Sequence, residues 1–275
     1  MRNIKQSEIA ERKKTAPERR SIEKLLLPLN KLADQSRHLL SKSFGNFEND
    51  GQSYQLPRYV YLGPKGGGDT IRIGIFATLH GDEPVGAVAL QRLVWLLEQK
   101  RELGKGYALF LYPLCNPTGY EDNTRHKRGG KDLNRDFWKG STETEIRYLE
   151  TEIWTHAFHG LIHLQSSQES DGVHGFVNGT VLSEHLLKPA LKEAENYLPR
   201  TSKTNIEGFP ACNGIVYQTV AGALRSVPGL KPAPFELTLQ TPGQAPQYLQ
   251  VEALTAALQT VLLEYRHLLA LAQNI

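Results

Sequence analysis

From residue 57 onward, short apolar runs alternate with longer segments of helical periodicity, and this alternation constrains the fold more than any other feature. Strand-like runs lie at Tyr59–Leu62, Ile71–Thr78, Ala108–Pro113, Gly160–Gln165 and Pro234–Gln240. Helical spacing of apolar residues marks Val85–Arg101, Glu143–His156, Ser183–Tyr197 and Gln250–Leu271. Asp82 is the expected cap of the first of these helices, with Pro84 in its first turn. Strands separated by helices are joined by crossovers, which favours parallel pairing and a sheet covered on both faces. The expected fold class is α/β, a mixed twisted sheet flanked by helices.

The 275 residues, 40% hydrophobic and 22% charged, have ordinary globular composition and suffice for one large core. The net charge of +3 is unevenly spread. Residues 1–44 carry 11 Lys and Arg against 5 Asp and Glu, while the remainder carries 21 against 24. Apolar residues from Ser21 to Leu40 recur at helical spacing, interrupted near Pro28. Residues 44–56 read as a linker. The chain therefore divides into a basic helical N-terminal extension, 1–44, and a main domain, 45–275. The extension reads as a solvated helix packed on that domain rather than as an arm for nucleic acid or membrane. No apolar run approaches the ~20 residues of a membrane span, and the charged N-terminus lacks a signal-peptide core. The expected compartment is the cytoplasm, with neither membrane nor nucleic acid as partner.

Two cysteines, Cys115 and Cys212, exclude a disulfide framework and a cysteine-based zinc cluster. A transition metal would have to be held by histidine and carboxylate. His80 and Glu83, three residues apart in a His-Gly-Asp-Glu turn just after a strand, can converge on one ion. Open α/β sheets place ligands at this carboxyl edge. Asn116-Pro117-Thr118-Gly119 follows the next strand. Beyond it come Arg125, Arg128 and the block Asp132-Leu133-Asn134-Arg135-Asp136-Phe137. Guanidinium groups of this kind match carboxylates bidentately.

Taken in order, these three motifs resemble those of the zinc-carboxypeptidase family, in particular its compact bacterial branch near the succinylglutamate desuccinylase/aspartoacylase-like proteins. The resemblance spans about residues 57–265. It implies hydrolysis of an amide bond adjacent to a free carboxylate, with one zinc ion and a peptide or N-acylated amino acid as substrate. It further implies His80 and Glu83 as zinc ligands, Arg125 as the oxyanion arginine (with Arg128 as alternative), and Asn134 with Arg135 as the carboxylate clamp. Tyr217 is either the counterpart of the family's mobile tyrosine or a packed strand residue.

Two positions depart from the family pattern. The third ligand is either His163 or, in a register fixed by the downstream Ser170-Asp171-Gly172, Gln165. The general base is either Glu236 or, in the Thr-x-Glu-Thr-Pro-like context, Gln240. Glutamine is a poorer zinc ligand than imidazole and takes up no proton at neutral pH. The expected function is a zinc-dependent hydrolase; the alternative is a non-catalytic relative on the same scaffold that binds peptide or acylated amino acid.

Overall fold

The structure, a computed structural model, describes residues 19–178, 181–218 and 221–272. Residues 1–18 of the basic extension lie outside the described residues. The chain begins with α1 (Ile22–Gln35), then β1 (Leu39–Asn49), β2 (Gln52–Leu62), β3 (Ile71–Ala77), α2 (Val85–Gln99) and β4 (Tyr107–Tyr112). There follow α3 (Pro117–Asp122), α4 (Thr144–His156), β5 (Gly160–Ser167), β6 (His174–Asn178) and α5 (Val181–Ala194). The last elements are β7 (Asn205–Ile206), β8 (Phe209–Cys212), β9 (Ile215–Val216), β10 (Phe235–Pro242) and α6 (Gln247–Ala272).

The strands form one mixed sheet in the order β1-β2-β4-β3-β5-β10-β6-β9-β8-β7. Its centre, β4-β3-β5-β10, is parallel throughout, as the strand–helix alternation requires. Side chains alternate across it. Ile73, Ile75 and Ala77 of β3 pack with α2 and α6 in one core. Phe76 points to the other face, where Tyr112, Ile146, Leu149 and Phe158 cover it. The α/β class expected from the sequence is the observed one.

Three local expectations are corrected. The supposed linker at 44–56 is a β-hairpin, in which β1 pairs antiparallel with β2 from Leu39↔Tyr61 to Asn49↔Gln52. Its polar, alternating residues are those of an edge hairpin, which composition alone does not separate from a linker. The hairpin also carries the chain across the expected boundary at residue 44. The first helix stops at Gln35, because Ser36 is already extended and Leu39 and Leu40 belong to β1. Pro84, not Asp82, occupies the cap position of α2, and no side chain caps that helix.

The turns leaving β3 and β4 are held against each other. Asn116 caps α3 by accepting from the Gly119 amide at 2.9 Å. Its own amide donates to the Leu79 carbonyl at 3.1 Å. Gly81 is required here, since a Cβ on it would lie 2.0 Å from the Gly119 carbonyl carbon and 2.3 Å from the Tyr120 nitrogen. Backbone cannot yield as a side-chain tip can. Gly81→Ala is expected to cost about 2–3 kcal/mol in urea unfolding, whereas Gly67→Ala, whose Cβ meets nothing within 4 Å, changes little.

Candidate metal and carboxylate site

The site lies where β3, β5 and β10 end. Parallel register sets Phe76 beside His163 and Ala77 beside Leu164. It likewise sets Thr238 beside His163 and Gln240 beside Gln165. Position 165 therefore sits at the sheet's carboxyl edge, level with position 240. His163 lies two residues, roughly 6.6 Å, further down the strand.

His80, just past β3, is 3% exposed. Its Nδ1 lies 3.0 Å from Glu83 Oε1, and the Gln165 amide lies 3.4 Å from the same Nδ1. Glu83 Oε2 accepts from the Ser166 amide at 3.0 Å, and its Oε1 accepts from Arg125 at 3.1 Å. On the other edge of the ring, His80 Nε2 lies 3.5 Å from Asp132 Oδ1. Burial disfavours a charged His80, but hydrogen bonds to Asp132 and Glu83 outweigh it and raise its pKa. Burial likewise pushes the Asp132 carboxyl up, yet the pairing with His80 prevails and holds it at about 2. The sequence motif assigns Asp132 no role; its signal is the Asp-Leu-Asn-Arg block itself.

Gln240 donates through Nε2 to Gln165 Oε1 at 2.7 Å and to Glu207 Oε1 at 3.2 Å. Glu207 carried no motif; it arrives from the β7–β8 turn through tertiary folding alone. Glu236 lies on the same strand, four residues before Gln240. Its Oε1 accepts from the Ser226 amide at 2.7 Å and from the Ser226 hydroxyl. His163 is 2% exposed, and its Nε2 has no hydrogen-bond partner among the described residues.

Arg125 has a side chain 43% exposed, which leaves its guanidinium open to a ligand. Arg128 is engaged elsewhere, forked onto Asp122 by two bonds of 2.7 Å and bonded to the Tyr54 hydroxyl at 2.8 Å. Asn134 Oδ1 accepts from the Leu224 amide at 3.0 Å. Arg135 donates to the Asn134 carbonyl at 3.2 Å and forms no ion pair with the acidic side chains of the described residues. Tyr217 turns away, its hydroxyl donating to Glu184 of α5 at 3.0 Å.

Residues 69–169 match the profile of the succinylglutamate desuccinylase/aspartoacylase catalytic domain. Three solved structures share the fold. A Shewanella amazonensis protein assigned as a metallopeptidase is 22% identical, with a TM-score of 0.70 over 88% of this chain and 92% of its own. A metallo-carboxypeptidase from Burkholderia cenocepacia is 14% identical, with a TM-score of 0.71 over 91% of this chain and 70% of its own. A metallo-carboxypeptidase from Pseudomonas aeruginosa, in complex with (2-guanidinoethylmercapto)succinic acid, is 15% identical, with a TM-score of 0.65 over 89% and 69%. The chain has the carboxypeptidase-like α/β fold of these structures. No curated protein matches it. Among the described residues no helix is long and apolar enough to cross a membrane.

Metallo-carboxypeptidases with this fold raise the question of a metal at this centre. His80 Nδ1 and a Glu83 oxygen are close enough to share an ion. The third group beside them is an amide, and among the described residues no three His, Cys, Asp or Glu side chains come together to hold a metal. One imidazole, one carboxylate and one neutral amide do not match the three-ligand set of catalytic zinc, which draws on histidine and carboxylate.

His163 provides a titration test of this arrangement. Burial first, then the nearby His80 and Arg125 charges, lower its pKa from 6.5 to about 3. Below pH 6.5 the unfolded chain takes up a proton that the folded chain refuses until about pH 3. Stability is therefore lost on acidification across that window, by up to about 1.4 kcal/mol per pH unit. His163→Leu removes this term. Between pH 7 and pH 5 the wild type should lose about 2 kcal/mol more than the variant in urea unfolding.

Proposed function

We propose that this chain binds a small ligand bearing a free carboxylate, a peptide C-terminus or an N-acylated amino acid, and does not cleave it by zinc-dependent hydrolysis. The observation that carries this reading is the Gln165–Gln240 hydrogen bond of 2.7 Å. It fills with two amides the positions where the family resemblance expects a ligand histidine and a base. An amide accepts no proton at neutral pH, and a missing general base costs on the order of 10²–10⁴-fold in rate. Glu236, the alternative base, is occupied by Ser226. Two arginines support an anion as ligand: Arg125 is partly exposed, and Arg135 forms no ion pair among the described residues. The succinic acid inhibitor held by the Pseudomonas neighbour is consistent with a ligand of this class.

A second reading is that of a zinc-dependent hydrolase with His80, Glu83 and His163 as ligands and Glu236 as base. The 3.0 Å approach of His80 Nδ1 to Glu83 favours it. Turnover separates the two. With zinc supplied, the wild type should hydrolyse neither carboxypeptidase substrates nor N-acetyl amino acids, whereas Gln165→His/Gln240→Glu should gain turnover. Wild-type turnover that is abolished by Glu236→Gln would establish the second reading. Binding of an N-acetyl amino acid, read by calorimetry, should weaken roughly 10–100-fold in Arg135→Ala, the loss of a charge-assisted pair.

A further inference from the structure

Residues 221–226, between β9 and β10, lie as a strap along the Asn134–Arg135 turn. The Phe137 amide donates to the Gly222 carbonyl at 3.0 Å. The Trp138 indole donates to the Arg225 carbonyl at 2.9 Å. Lys139 Nζ bridges the carbonyls of Arg135 and Ala221 at 2.8 and 3.1 Å. Gly222 permits this close approach. Its φ is +85°, and a Cβ there would lie 2.1 Å from the Arg135 carbonyl oxygen.

One bond from the strap sets the chemistry of the turn. The Leu224 amide meets the Asn134 side chain at 3.0 Å. A backbone N–H only donates, so the atom it meets is Oδ1, and Nδ2 is the end left for a ligand. Arg135 likewise brings only N–H donors. Donors alone suit a carboxylate, whose oxygens accept, and oppose the NH2 of a primary carboxamide. Were Asn134 turned over, its oxygen would accept from that NH2 instead.

Glu236 ties down the end of the strap. Its Oε1 accepts from the Ser226 amide at 2.7 Å and from the Ser226 hydroxyl. Glu236 is 8% exposed and belongs to β10, which lies inside the sheet between β5 and β6. The strap is thus referred to a rigid element. We propose that Glu236 is a positioning residue. It holds the strap through Ser226, and the strap, through the Leu224 amide, keeps Asn134 Nδ2 toward the ligand and so selects a free carboxylate over a carboxamide. The selectivity rests on the carboxylate reading above; the positioning does not.

Amide hydrogen exchange in the ¹⁵N-labelled full-length protein reads the strap without ligand. The Leu224 amide should be protected in the wild type and in Glu236→Gln, whose Oε1 still accepts both Ser226 donors. Protection should fall at least about tenfold in Glu236→Ala and in Gly222→Ala, which displaces the strap from its loop. Ile75, paired on both sides within the sheet, should keep its protection in Gly222→Ala. By calorimetry, the wild type and Glu236→Gln should bind N-acetylglycine at least about tenfold more tightly than N-acetylglycinamide, and Gly222→Ala should narrow that preference. Leu224 protection that is lost in Glu236→Gln, or unchanged in both Glu236→Ala and Gly222→Ala, overturns the positioning. Equal binding of the two compounds, or none, by a wild type with a protected Leu224 amide overturns the carboxylate reading and the selectivity with it, while the positioning stands.

Discussion

The parallel pairing of β5 with β10 sets Gln165 level with Gln240, and the chemistry of the centre depends on that register. Side chains on a strand repeat with a period of two. Moving the assignment by two residues keeps the same face but changes the occupants from Gln165 and Gln240 to His163 and Thr238. The hydrogen bond between the two amides, together with the contact of Gln165 with His80, is made at the carboxyl edge. His163 lies below that edge, and its Nε2 has no hydrogen-bond partner among the described residues.

A buried carboxylate needs compensation. Glu83 receives it from Arg125, His80 and the Ser166 amide, and Asp132 receives it from His80. These protein groups satisfy both acids. Arg125 is engaged by Glu83 yet partly open. The centre sets two neutral amides, Gln165 and Gln240, near a partly open Arg125. It lacks, at position 240, a group able to move a proton.

Much of the fold was legible because burial writes itself into apolar periodicity: β3, α2, β5 and β10 each follow their apolar runs. The β1–β2 hairpin was not legible, because edge strands with polar exposed faces look like linker in composition. The His80–Glu83 pair was legible from local spacing, since three residues at one turn suffice to bring the side chains together. The choice between His163 and Gln165 was not, because both share a strand face and only the pairing with β10 shows which stands at the edge. Glu207 had no local signal at all, as its contact with Gln240 spans 33 residues of sequence.

Zinc affinity of the purified protein, measured by competition with a chelator in the wild type and in Gln165→His, tests the central claim most directly. A wild-type centre that offers an amide as its third donor should bind zinc weakly, and Gln165→His should tighten binding by at least about tenfold. Tight wild-type binding that is unaffected by Gln165→His but lost in His163→Leu would contradict the claim and place the third ligand at His163.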